Sequence, residues 1–247
     1  MGLVFLLSAS PVLGHGGRAP FLLWGGLPRS SIPCQRAIGT AARLCALGAA
    51  QTRLRCLLTA SPRCTPEQIE QQRRRLEARA LDLISQACTD RAVAQLGFVG
   101  VIEAQADIAN NCARGDRDLS AIFGISQEST ATATCTTHIA SAAVKLLRVA
   151  VKNWQNMLDR IAYKNVPPSR KASLLASTRT RIGKAKEKLR LLVSTACPGA
   201  PIASLPAPSL EEVLTSVALL AECIAGAAYV QDAVHCTPLP TTAPASP

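Results

Sequence analysis

The chain predicts an all-α protein: two homologous antiparallel helical hairpins with follower helices, stapled by disulfides into a helical bundle. Three observations carry this expectation. Aromatic residues are scarce, with two Trp, two Tyr and four Phe in 247 residues, so Ala, Leu, Val and Ile must build the core, and Ala is the strongest helix former. Apolar residues recur at helical spacing, while the alternating β-branched runs of a sheet are few. Ten cysteines bracket the helical stretches, with Cys34 to Cys88 enclosing one hairpin and Cys135 to Cys197 the other.

The cysteine count is even, and no pair is spaced C-x-x-C. This argues against zinc ribbons, thioredoxin-like redox sites and haem attachment, and for structural disulfides in an oxidising compartment. Residues 1–33 read as a leader: Gly2 to Gly14 is apolar like a signal peptide, although no basic residue precedes it. This segment is set apart from the fold.

The first hairpin is expected over 34–88, within a first repeat of 34–112. Ile38, Ala41, Ala42, Cys45, Ala49 and Leu57 share a helical face. Cys34, Cys45 and Cys56 are spaced by close to three turns, so they form one stripe; at roughly 16 Å per step they cannot bond one another. Each needs a partner on a neighbouring element. A turn follows at Ala60 to Cys64. Thr65-Pro66-Glu67-Gln68 then opens a second helix, with Thr65 as cap, Pro66 at the first position and Gln68 completing a capping box. Ile69, Leu76, Ala80, Leu83, Ile84 and Ala87 face inward, and Glu70 pairs with Arg74 one turn on. Folding this pair back on itself sets Cys34 beside Cys88 and Cys56 beside Cys64. In the loop-entropy picture the long closure is worth about 4 kcal/mol and the short one about 2.5.

The second repeat, 135–236, includes a C-terminal helix. Ile139, Ala143, Leu146, Ala150, Trp154, Met157 and Ile161 form an apolar stripe. Cys45 and Cys56 are matched here by Leu146 and Met157. Pro167 and Pro168 stiffen the bend. Leu175, Ile182, Ala185, Leu189 and Leu192 lead back to Cys197, which pairs with Cys135.

Each hairpin has a follower. Ala92 to Asn111 reads as one helix ending near Cys112, and 113–134 reads as a linker. After the Pro-rich stretch 198–208, Ser209-Leu210-Glu211-Glu212 caps a helix carrying Val213, Val217, Leu220, Ile224 and Ala227. Val213 to Val230 is apolar enough to suggest a membrane span, but its central Glu222 and lack of basic flanks favour a buried bundle helix. Residues 237–247 read as a disordered tail. Cys45, Cys112, Cys223 and Cys236 remain, with three connectivities open. Cys223 and Cys236 fall on opposed faces of one expected helix and should not pair unless it breaks; two bridges tying followers to hairpins are expected.

The residues Cys34-Gln35-Arg36-Ala37-Ile38-Gly39, Arg55-Cys56-Leu57-Leu58, Arg63-Cys64-Thr65, Gln86-Ala87-Cys88, Leu96-Gly97-Phe98 and Ala221-Glu222-Cys223 resemble uncharacterised, secreted, cysteine-bounded helical-hairpin repeat proteins of environmental bacteria. The likeness covers roughly two thirds of the chain. It implies export and a helical bundle, and no activity.

The net charge of +11 is concentrated. Residues 135–197 hold 13 basic and 2 acidic residues, whereas 89–134 hold 3 and 6 and 198–247 hold 0 and 4. Lys145, Arg148 and Lys152 recur on one helix; Arg179, Arg181, Lys184, Lys186, Lys188 and Arg190 crowd the next. Such a field attracts nucleic acid, lipopolysaccharide or an acidic polysaccharide, or it is a solvated face partly neutralised within the fold. His138 and the His235-Cys236 pair lack metal-ligand spacing. Arg114-Gly115-Asp116 spells an adhesion tripeptide on an expected loop, too short a motif to carry function. No phosphate loop, nucleophile elbow, metalloprotease motif, acid pair or cofactor signature is present. The expectation is a secreted or periplasmic, non-catalytic structural or interaction protein without cofactor or metal; the alternative is a polyanion binder using the basic hairpin.

Overall fold

A computed structural model describes residues 27–59, 64–123, 134–164, 166–197 and 209–229. These residues form α1 (Ile32–Thr59), α2 (Pro66–Ala87), α3 (Asp90–Gln95), α4 (Val101–Phe123), α5 (Thr134–Tyr163), α6 (Pro168–Ala196) and α7 (Leu210–Ala227), with no strand among them. The chain is a disulfide-stapled all-α bundle.

α1 lies at the centre, in contact with α2, α4, α5 and α7. Its inward residues are mostly small: Ala41, Ala42, Ala46, Ala49 and Ala50 are all buried. Small side chains let several helices approach one axis, and close packing then does the work that large aromatics do elsewhere. Gly48 marks the tightest approach, since a Cβ there would lie 2.8 Å from Leu76 Cδ1 of α2. α5 carries the bulk: Leu146, Leu147, Val151, Trp154, Met157 and Leu158 are buried. α5 packs against α6, α7 and α1, and α4 packs against α7. The membrane alternative for the last helix gives way to burial. α7 buries Val213, Leu214, Val217, Leu220 and Ile224 inside the bundle, and among the described residues no helix is long and apolar enough to cross a membrane.

Caps sit where hydroxyl oxygens can meet orphan helix N–H groups. Thr65 Oγ1 accepts from Gln68 N at 3.3 Å, Thr89 Oγ1 from Ala92 N at 3.2 Å and Ser209 Oγ from Glu212 N at 3.1 Å. Cys88 and Cys197 occupy the C-cap positions of α2 and α6.

The bridges follow the expected antiparallel pairing. Cys34–Cys88, Cys56–Cys64 and Cys135–Cys197 have Cα separations of 4.7, 5.1 and 5.5 Å. The open connectivity is decided by α4: Cys45 bonds Cys112 across a Cα separation of 5.1 Å. The three cysteines along α1 thus each find a partner on a different neighbouring stretch. Cys223 is disulfide-bonded as well, and Cys236 lies outside the described residues. The expected single helix through both does not form, because α7 ends at Ala227.

Six other expectations are corrected. The first follower is two helices: Gly97, at φ 91°, takes a left-handed conformation that favours glycine and separates α3 from α4. Cys112 is therefore inside α4, which runs on to Phe123 through the first half of the expected linker; Arg114 to Asp116 are helical rather than a loop. Residues 27–33 belong to the fold, with Leu27 buried and its N–H donating to Ala162 O at 2.7 Å. Leu192 is 56% exposed; Val193, three turns on from Ile182, takes the inward place. Ala87, at the end of α2, is exposed. The linkers at 128–133 and 198–208, the turn at 60–63, the leader before 27, His235 and the tail 237–247 lie outside the described residues.

Candidate functional site: basic helix faces and a polar seam

The nine cations singled out on α5 and α6 divide by partner. On α6, Arg179, Lys186 and Arg190 sit on the flank that meets acidic groups. Arg179 Nη2 is 3.6 Å from Glu222 Oε1 of α7. Lys186 pairs with Glu211 and lies 3.3 Å from Thr215 Oγ1. Arg190 holds Glu187 through two bonds of 2.7 and 2.8 Å, which lower the Glu187 pKa. Burial pushes Glu222 up from the ordinary carboxylate range, and Arg179 opposes that push. The acidic follower thus neutralises part of the basic hairpin.

The other six are exposed and make no ion pair among the described residues: Lys145, Arg148 and Lys152 on α5, and Arg181, Lys184 and Lys188 on α6. At 100° per residue each trio spans an arc of about 60°, so each forms a single cationic stripe. On α6 this stripe lies well away from the side carrying buried Ile182 and Val193.

A second constellation escapes sequence reasoning. Where α1, α5 and the end of α7 meet, buried Gln35 Nε2 donates to Ala228 O at 2.7 Å and buried Gln155 Nε2 donates to Gly39 O at 2.6 Å. Tyr229 Oη donates to Asp159 Oδ1 at 2.6 Å. Arg36 lies over the Tyr163 ring, 5.2 Å from its centroid, while the Tyr163 hydroxyl is buried without a hydrogen-bond partner among the described residues. Burial, with Asp159 nearby, raises the pKa of both phenols. Asn111 Nδ2 extends the polar contacts to α4 and α7, donating to Ile224 O at 3.2 Å. The available signal was glutamine on otherwise apolar helix faces, together with the only two tyrosines of the chain. Chemically this seam fixes helices against one another: its amides are spent on helix carbonyls, and its carboxylate on a phenol.

His138 is exposed on α5. Among the described residues no group of three His, Cys, Asp or Glu side chains converges as a metal site. Compared with protein-family models, curated proteins and solved structures, the chain matches none of them.

Proposed function

We propose that this is an exported, non-catalytic structural or interaction protein. The observation that carries the reading is where its chemistry-bearing residues go. Sulfur closes helix pairs, with Cys34, Cys45 and Cys112 fully buried, and the buried amides bind helix carbonyls. Bridges of this kind suit an oxidising compartment, in keeping with the leader-like N-terminus and with the likeness to secreted helical-hairpin repeat proteins. Duplication of one hairpin explains why each long helix pair is clasped by a bridge at its open end. Non-reducing peptide mapping of protein recovered from the culture fluid tests the reading. Recovery of Cys34–Cys88, Cys45–Cys112 and Cys135–Cys197 peptides supports it, and free thiols throughout sink it.

A second reading is favoured by one specific observation, the two cationic stripes of α5 and α6 (Lys145, Arg148 and Lys152; Arg181, Lys184 and Lys188), which are exposed and make no ion pair among the described residues. In this reading the outer faces of the second hairpin bind a polyanion by charge, with counterion release supplying the affinity. Retention on immobilised heparin at low salt, lost steeply as salt rises, is the expected result. Passage through the column at low salt would end this reading and leave the first intact.

A further inference from the structure

We propose that the first hairpin carries a second, equivalent cationic site, so that the protein holds a linear acidic polysaccharide at two places, Arg75/Arg79 on α2 and Lys184/Lys188 on α6. The inference rests on the polyanion reading above and extends it to a helix that the charge distribution does not single out. Superposing α2 on α6 at their C-cap cysteines, Cys88 and Cys197, sets buried Ile84 on buried Val193. The same register sets Arg75 on Lys184 and Arg79 on Lys188. All four are exposed, and none makes an ion pair among the described residues.

On α2 the cations beside this pair are already spent. Arg73 is held by Glu70 and Glu77, Arg74 by Glu70, and the Asp82 carboxylate accepts from Gln86 Nε2 at 2.8 Å. What remains toward solvent is the Arg75–Arg79 pair, with the exposed Asp82 carboxylate one turn beyond Arg79. Like charges one turn apart repel along a helix and weaken it. The arrangement nonetheless occurs at the same register of both hairpins, where a negatively charged chain lying along the helix would relieve it. Arginine at the first site suits planar carboxylate or sulfate groups. A polysaccharide fits better than a single-stranded nucleic acid, because among the described residues Trp154, Phe98 and Tyr229 are buried and the half-buried Tyr163 ring is covered by Arg36, which leaves no open platform for bases. A polymer long enough to span both sites converts the second contact into an intramolecular one and raises affinity without any new contact.

Calorimetric titration of the oxidised full chain with a heparin tetrasaccharide, long heparin and a DNA duplex tests this. The variants are R75A/R79A and K184A/K188A; Ala at exposed helix positions preserves the helices, which circular dichroism verifies. The expected result is one tetrasaccharide site fewer in either variant than in the parent. Long heparin should bind either variant on the order of tenfold more weakly. If R75A/R79A changes neither stoichiometry nor affinity while K184A/K188A weakens binding, the second site is refuted and the polyanion reading survives. If the parent binds no probe at low salt, both fall. Markedly tighter binding of the duplex overturns the polysaccharide assignment.

Discussion

Tyr229 and Tyr163 lie beside the same aspartate with opposite consequences. Tyr229 Oη donates a 2.6 Å hydrogen bond to Asp159 Oδ1, whereas the Tyr163 hydroxyl is buried without a hydrogen-bond partner among the described residues. A hydrogen bond to a charged group contributes about 1.5–3 kcal/mol, and a buried unsatisfied donor costs about 1–3. Y229F should therefore lower unfolding free energy by about 2 kcal/mol in urea titrations. Y163F should be neutral or raise it by up to about 1 kcal/mol, since Arg36 keeps an aromatic face to rest on. Equal losses in both variants would refute this account of the seam. Glu70 supplies the pH dependence at this scale. Hydrogen bonds from Arg73 and then Arg74 lower its pKa to about 2. A lowered carboxylate pKa stabilises the fold above its unfolded value of 4.5, and that contribution disappears as pH falls toward about 2. The Glu70 side chain is 41% exposed, so solvent screening holds its share to about 0.5 kcal/mol. E70Q should melt slightly below the parent at pH 7, and the two melting curves should converge at about pH 2.

At the scale of the element, glycine distinguishes contact from slack. Gly183 lies inside α6 with nothing within 4 Å of a Cβ built there. It incurs the entropic cost of glycine in a helix without using the space. G183A should raise stability by up to about 1 kcal/mol, read as a higher thermal midpoint. At Gly39, by contrast, a new Cβ would come within 3.0 Å of Tyr229 Oη, and G39A should show no such gain. The same distinction explains what was legible in the residues. Thr65 and Ser209 act on their own backbone, so their caps could be read locally. The α5 stripe from Ile139 to Ile161 is buried as its spacing indicates. The break between α3 and α4 was harder, because the apolar pattern continues through Leu96 and Phe98 while Gly97 changes the backbone. There, Asp90 Oδ1 accepts from Val101 N at 3.0 Å across the break, a contact no local pattern announces. The seam at Asp159 was illegible for a related reason: its members come from three helices far apart in sequence. The concentration of cations on α5 and α6 was legible, as was the local Arg190–Glu187 pair, but the neutralisation of Arg179 and Lys186 depends on where α7 packs.

Across the whole molecule, an alanine-rich core must hold seven described helices together with little apolar area per residue. Each buried Ala adds only about 1 kcal/mol at the usual 0.8 kcal/mol per carbon group, against a backbone ordering cost of about 1–2 kcal/mol per residue. Constraint of the unfolded chain then becomes a large part of the balance, and the bridges should differ by the loop each one closes. Cys45–Cys112 spans 67 residues and joins α1 to α4, whereas Cys56–Cys64 spans 8 and only closes a turn. The entropy relation gives about 4.4 kcal/mol for the first and about 2.5 for the second. Both Cys45 and Cys112 are fully buried, so replacing them also leaves a small void that adds to the loss. C45A/C112A should therefore lower unfolding free energy by at least about 4 kcal/mol, close to the whole stability of many domains. C56A/C64A should lose about 2.5 kcal/mol and keep a cooperative transition. Urea denaturation of the two oxidised variants decides the matter. If the turn bridge proves worth as much as the core bridge, unfolded-chain entropy is not what the sulfur supplies, and the part assigned to it in holding α4 on α1 must pass to side-chain packing alone.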